Sequence, residues 1–354
     1  MAIKVIQWAT GAIGKTCLRH VIDHPDLELV GLFVYSESKA GKDAGEIARR
    51  PHTDVIATQS TDEILALDAD VVLHLPLNLA GTFETHDDVI KRLLRSGKNV
   101  ISTVRHGFPW AAGSEYAAGF EEACREGNST LFGTGINPGF MTERLAVTLT
   151  SVCTQVDHIL TREIYDFSQV LSPGFIFDHA GVGLPPEEFA KATEMQQIFE
   201  HIFGEVVGYV GHALQVDFDK VVADHEFGTT DHDLQLPAGE VKAGGVVNFC
   251  WRWHGMKNGK PFLTIEMLWI VDPTQEGWDY TDGWDIDISG APGITARVDL
   301  VEPENMPDRS KAMQYAVAGP VIRAIPEVMK APAGILLPST FAPYTPRMQL
   351  LNSR

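Results

Sequence analysis

The chain has 354 residues, 44% of them hydrophobic and 21% charged, with a formal net charge of −19. That length is too great for one ordinary core and suits two domains, and the composition is that of a globular protein. The acidic balance excludes a nucleic-acid partner, because phosphate binding needs a basic face and none appears.

The first fourteen residues organise the rest. Ile3 to Ala9 is an apolar, β-branched run that ends in Thr10-Gly11-Ala12-Ile13-Gly14, and helical spacing follows from Lys15 to Ile22. A glycine turn between strand and helix lets the backbone approach a pyrophosphate, while the helix's unpaired N–H groups point at its charge. In G-x-G-x-x-G, Gly11 and Gly14 fit the second and third glycines, and Ala9 holds the first position. Asp26 to Tyr35 reads as the second strand of the βαβ unit that this fingerprint requires. At its end, Ser36 and Lys39 can hold a 2′-phosphate, whereas Glu37 can take ribose hydroxyls. The expected cofactor is NADP, with NAD as the other reading.

Strands are expected at Asp70–Pro76, Asn99–Thr103 and Thr130–Gly135, with helices at Asp87–Arg95 and Ser114–Glu126 between them. The alternation predicts a doubly wound, Rossmann-type parallel sheet, with ligands at the carboxyl ends of its strands. Those ends carry His74-Leu75-Pro76, Thr103, and Asn137-Pro138. The amide of Asn137 offers both a donor and an acceptor to a nicotinamide carboxamide.

From about Val156 the pattern changes. Two apolar stretches flank Lys257-Asn258-Gly259-Lys260, a hairpin signal, and further strands are expected near 157–165, 217–228, 284–288 and 295–300. They predict an α+β domain with a largely antiparallel sheet. One helix is expected from Pro186 to His201, with Phe189, Ala192, Met195, Ile198, Phe199 and Ile202 as its core stripe. Another, from Arg309 to Ile325, would be capped by Asp308 and pack back on the first domain. The expected division is 1–150 for the dinucleotide domain, 151–306 for the substrate and dimerisation domain, and 307–354 for the C-terminal helix and tail. The aromatic sheet with Trp251, Trp253 and Trp269 exceeds what one helix would cover, so a homodimer through it is expected.

Cys17, Cys124, Cys153 and Cys250 lie far apart without a C-x-x-C pair, so neither a zinc cage nor a disulfide framework is suggested and a cytoplasmic setting fits. The first strand begins too early to leave room for a signal peptide, and no apolar run reaches the roughly 20 residues of a membrane helix. Asp224-His225-Glu226 and Asp231-His232-Asp233 mimic metal ligands, but neighbours on a strand point to opposite faces, so no metal is expected.

Gln7–Gly14, Gly97–Thr103, Gly133–Phe140 and Ala324-Ile325-Pro326 resemble the dihydrodipicolinate-reductase-like superfamily. Within it they are most similar to the NAD(P)H-dependent amine dehydrogenases related to 2,4-diaminopentanoate dehydrogenase. The resemblance implies hydride transfer between a nicotinamide and a small, fairly apolar imine, amine or carbonyl, and dimerisation through the second sheet. It also implies a glutamate just after the strand ending at Thr103, where this chain has Val104-Arg105-His106. A guanidinium there would repel ammonium and favour a carboxylate or an oxyanion, with His106 as proton donor; alternatively Arg105 pairs with a surface acid. Asp166, Asp178 and His179 are the other candidates to replace the missing glutamate. The rival readings are a carbonyl or imine reductase that does not use free ammonia, and a non-catalytic dinucleotide-binding sensor.

Overall fold

The computed structural model describes residues 2–77, 81–191, 194–275, 277–278, 281–304 and 310–347. It divides into two compact units, one of Met1–Phe140 with Leu300–Pro338 and one of Met141–Asp299 with Ser339–Arg354.

In the first unit, strands β1 (Ile3–Trp8), β2 (Leu27–Phe33), β3 (Ala57–Thr58), β4 (Val71–His74), β5 (Asn99–Ser102) and β6 (Thr130–Gly133) alternate with helices. The helices are α1 (Ala12–Asp23), α2 (Ala44–Ala48), α3 (Thr61–Ala66), α4 (Phe83–Arg95) and α5 (Ser114–Gly127). With the short Gly334–Ile335 strand at one edge, the sheet order is β6-β5-β4-β1-β2-β3, and every pair is parallel. This is the doubly wound, Rossmann-type order. The strands read as unbroken apolar runs because both faces are covered. On one face Ile6, Trp8, Val72 and Val100 pack against Ile90 and Leu93 of α4 and Phe120 of α5. On the other, Val5, Val71, Leu73, Ile101 and Phe132 meet Cys17 and Val21 of α1 and Val321, Ile322 and Ile325 of the C-terminal helix Ala312–Lys330. That helix runs past the expected end at Ile325, through Pro326. Its expected start at Arg309 and cap at Asp308 lie outside the described residues.

The second unit opens with a π-type turn, Met141–Ala146, that runs into α6 (Val147–Leu149). Its strands are β7 (Gln155–Asp166), β8 (Lys220–Thr229), β9 (Leu234–Leu236), β10 (Gly239–Val241), β11 (Val246–Lys257), β12 (Lys260–Ile270), β13 (Gly283–Ala291) and β14 (Ile294–Val298). The main sheet has the order β14-β13-β7-β12-β11-β8 and is antiparallel except at β7–β12. Asn258 and Gly259 make the tight β11–β12 turn, both with positive φ, as the hairpin signal predicts.

Two expectations are corrected here. The single helix expected over 186–201 is two, α7 (Pro186–Phe189) and α8 (Glu194–Leu214), and α8 continues well beyond His201; Ala192 lies outside the described residues. Met195, Ile198, Phe199 and Ile202 are core, as the stripe predicts, and Phe203, Val206, Val207, Val210 and Leu214 extend it. The aromatic face expected to need a second subunit is covered within the unit. Trp251, Trp253 and Trp269 are only 6%, 1% and 9% exposed. Phe203 of α8 stacks on Trp253 at 4.4 Å between centroids, Phe199 sits edge-on to all three indoles, and Phe167 stacks on Trp269 at 4.6 Å. Rings offset in this way add stability beyond their burial.

Candidate functional site

The turn after β1 brings the start of α1 close against the strand. Ala9, at the first position of the glycine motif, takes a left-handed φ of 75°. The buried Gln7 side chain fixes it there, donating from Nε2 to the Ala9 carbonyl at 2.9 Å. A Cβ on Gly14 would lie 2.3 Å from that same carbonyl oxygen, so only glycine lets α1 start this close to the strand. Gly11 caps α1 without a side-chain hydrogen bond, and a Cβ built on it would meet nothing within 4 Å. Thr10, Gly11, Ala12, Ile13 and Gly14 therefore form an open cradle at a helix N-terminus, the arrangement that holds a pyrophosphate.

Cations gather beside it. Lys39 Nζ donates to the carbonyl and the hydroxyl of Thr10 at 2.9 and 3.0 Å. Ser36 is exposed in the loop after β2, with its Oγ 2.7 Å from that of Ser38. Burial, and then the charges of Lys39, Arg19 and Arg49, push the Lys15 ammonium below its ordinary range. Lys15 and Arg49 were not singled out in the sequence, because only the fold brings them to the Lys39 side of the turn.

The adjacent strands β4, β5 and β6 bring the other cofactor candidates to the same end of the sheet. His74 is buried, its Nδ1 3.3 Å from Ser102 Oγ. Leu75 and Pro76 continue β4, and Leu75 N donates to the Trp8 carbonyl at 3.1 Å. Thr103 N donates to the His74 carbonyl at 3.2 Å. Beyond β6 the Gly135–Gly139 loop is tightly folded: a Cβ on Gly139 would lie 2.3 Å from Gly135 N. That fold presents the half-buried Asn137 and Pro138.

Arg105 and His106 turn inward. His106 Nε2 and Asp87 Oδ1 are 2.7 Å apart, Arg105 Nη2 donates to Asp87 Oδ2 at 2.8 Å, and the Tyr116 hydroxyl donates to the same oxygen at 2.8 Å. The guanidinium lies between the rings of Phe83 and Tyr116, at 4.6 and 4.9 Å from their centroids. Exposure is 8% for Arg105, 0% for His106 and 5% for Asp87. The acid that pairs with Arg105 is thus a buried one, not the surface acid of the alternative reading, and the guanidinium and imidazole both face it. Burial pushes the Asp87 carboxyl up, but the hydrogen bonds and charges of His106 and Arg105, with the Tyr116 hydroxyl, outweigh it and hold the group below the usual carboxylate range.

In the second unit, Asp166 ends β7 and accepts from Ser168 N and Oγ at 3.1 and 2.5 Å. Its own amide donates to Asp282 Oδ1 at 3.3 Å. Partial burial and the neighbouring Asp166 charge raise Asp282 above the ordinary carboxylate value. Asp282 lies far from Asp166 in sequence, and only the fold brings it to the Asp166 amide. His179 is half-buried, its ring 5.7 Å from that of Phe175, while Asp178 is exposed. His232 pairs with Asp231 at 2.7 Å. Among the described residues, no three His, Cys, Asp or Glu side chains are grouped to hold a metal ion, and no helix is long and apolar enough to cross a membrane.

Comparison with known proteins bears on both units. The 2,4-diaminopentanoate dehydrogenase C-terminal domain family matches residues 140–342, and the dihydrodipicolinate reductase N-terminal family matches residues 3–102. An amine dehydrogenase of Streptomyces virginiae is 27% identical over 346 residues, covering 94% of each chain. A 2,4-diaminopentanoate dehydrogenase of Acetoanaerobium sticklandii is 26% identical over 338 residues, covering 94% of this chain and 91% of that one. The solved structure of an amine dehydrogenase from Mycobacterium smegmatis superposes with a TM-score of 0.73 over 98% of this chain and 99% of its own; at 18% identity that is a likeness of fold.

Proposed function

This chain belongs to the 2,4-diaminopentanoate dehydrogenase C-terminal domain family and is an NAD(P)-dependent oxidoreductase of amine dehydrogenase type, and from that premise we propose that it moves hydride between NADP and a small, fairly apolar imine, amine or carbonyl. The observation that carries the cofactor half is the open turn at Gly11–Gly14 with Lys39 and Lys15 beside it. Bound there, the nicotinamide cofactor supplies the hydride; the protein supplies orientation and one proton. The N–H groups at the start of α1 hold the pyrophosphate. Lys39, with Ser36, Lys15 and Arg49, reads the 2′-phosphate. His74, Leu75, Pro76, Thr103, Asn137 and Pro138 line the nicotinamide end. Asp166 and His179 are the proton carriers, and Arg105 and His106 keep the site's shape. The cytoplasmic setting proposed rests on four free cysteines without a disulfide; burial drives Cys17 and Cys250 up to about 12 and Cys124 up to about 11, which leaves them inert.

The test has two arms. Fluorescence titration should give saturable NADPH binding, and Lys39→Glu should weaken it by about 10–100-fold while moving NADH by less than about threefold, because one charge-assisted contact to the phosphate becomes a repulsion. Equal losses for both cofactors would remove the 2′-phosphate assignment. A panel of small ketones, followed by NADPH consumption with and without ammonium, then tests the chemistry. Ammonium-dependent consumption is the expected result. Consumption that ignores ammonium gives the carbonyl or imine reductase, which the absence of a carboxylate in Thr103-Val104-Arg105-His106 would explain. Binding without turnover gives the sensor.

The partner proposed is a second copy of the chain, through the second sheet. The supporting face is the one opposite the indoles, where Glu266 accepts from Arg162 and Arg252 at 2.5 and 2.6 Å and Thr264 lies within hydrogen-bond reach of His158 and His254. Sedimentation at about micromolar concentration should give the dimer mass, as for a stable isologous interface. A monomer there would end the proposal.

A further inference from the structure

We propose that Asp87 is a positioning residue for hydride transfer, fixing the backbone at the end of β5 by holding Arg105 and His106 together; this rests on the cofactor reading above. The carboxylate stands on α4, on the helix face that also buries Ile90 and Leu94, and reaches the β5 end with both oxygens. Oδ1 takes the imidazole and Oδ2 takes the guanidinium and the Tyr116 hydroxyl. Three of the four positions after the strand are held in place, two of them by Asp87. Thr103 is tied through its amide to the His74 carbonyl, Arg105 is clamped between two rings, and His106 is packed on Phe120 at 5.1 Å between centroids.

Fold stability alone does not call for this construction. A buried charge cluster is commonly no more stable than apolar side chains of the same volume. His106 holds a left-handed φ of 80°, a strained conformation for a residue with a side chain. Gly133 at the end of β6 must lack a side chain for the loop to pass, since a Cβ there would lie 2.3 Å from Gly107 N. Strain, buried charge and an obligatory glycine converge on one loop. That loop leaves the carboxyl end of a central parallel strand, where a doubly wound sheet binds its ligand. On the cofactor reading the cluster lies by the nicotinamide, whereas the glycine turn holds the pyrophosphate at the middle of the cofactor, so the two contacts can be disturbed separately.

The experiment compares wild type with Asp87→Asn, both shown folded by circular dichroism. Asp87→Asn should bind NADPH within threefold of wild type, because the α1 turn is untouched. It should lose at least half of the fluorescence gain of the bound reduced nicotinamide, whose ring is no longer held. With any ketone that the panel identifies, kcat should fall about 100-fold with KM within threefold, as expected for an interaction that matters only in the transition state. If Asp87→Asn does not fold, Arg105→Lys carries the test: it keeps the charge, loses the planar fork between the rings, and should show the same split at about tenfold. A folded variant with unchanged nicotinamide fluorescence overturns the assignment. Failure of the wild type to bind NADPH would overturn the cofactor reading instead.

Discussion

Gly14→Ala should abolish useful cofactor binding, weakening NADPH by at least about 100-fold, or roughly 2.8 kcal/mol. The added methyl would lie 2.3 Å from the Ala9 carbonyl oxygen and 3.3 Å from the Gln7 amide nitrogen. The first contact is with backbone, which cannot swing aside, so either α1 moves away from β1 or Ala9 leaves its left-handed conformation. Both outcomes displace the N–H groups at the start of α1 that are proposed to hold the pyrophosphate. The control is Gly11→Ala, whose methyl would meet nothing within 4 Å and should leave the unliganded fold intact. Thermal melting and NADPH titration of the two variants check the pair. A Gly14→Ala protein that binds NADPH within threefold of wild type would mean that the turn is close packing alone.

The second large effect is acid sensitivity well above the carboxylate range. Burial, and then the nearby His86 and His106, drive the His74 ring well below its ordinary pKa, so it stays neutral in the folded chain. An unfolded histidine takes up a proton below about pH 6.5. A group whose folded pKa is depressed favours the unfolded state as pH falls through the unfolded value, and His74 alone withdraws about 2 kcal/mol between pH 7 and pH 5. His86, His158, His225 and His254 are shifted the same way, burial leading in each. Asp87, held below the usual carboxylate range, contributes stability above about pH 4 and loses it only as pH falls through its lower folded value. The loss between pH 7 and pH 5 therefore belongs to histidine. The protection factors of the β4 amides, with exchange rates corrected for the intrinsic slowing of exchange at lower pH, should fall over that interval, and His74→Gln should flatten the change. A flat profile in wild type would show that His74 titrates normally.

The alternation of five strands in the first unit, β1, β2, β4, β5 and β6, was legible in the sequence because each is long and apolar enough to show. Ala57–Thr58 was not, nor were α2 and α3, which are too short for a period and rest on single caps: Asp43 accepting from Gly45 N and Ser60 accepting from Glu63 N. The extent of α8 was hidden by Gly204 and Gly211, helix-weakening residues offset here by the buried stripe around them. The glycine turn was readable, but the role of Gln7 was not, since it depends on a left-handed Ala9. Arg105 shows the limit most clearly. A charged residue after a strand end gives no sign of which way it turns, and its partner lies eighteen residues earlier on another element. One sign was present: Asp87 falls in the same helical stripe as Ile90 and Leu94, and a carboxylate on an apolar stripe calls for a buried cation.

The return of the C-terminal helix to the first sheet gives the protein a built-in check on its own synthesis. Val5, Val71, Leu73, Ile101 and Phe132 are all made well before Val321, Ile322 and Ile325, which are part of their cover. On the ribosome the first unit must wait, half-covered, until Ala312–Lys330 has emerged. A product truncated anywhere before residue 312 keeps its glycine turn but exposes one apolar face of the sheet beneath it, a patch of the kind that leads to aggregation or degradation. Only chains read past that helix cover both faces of the first sheet.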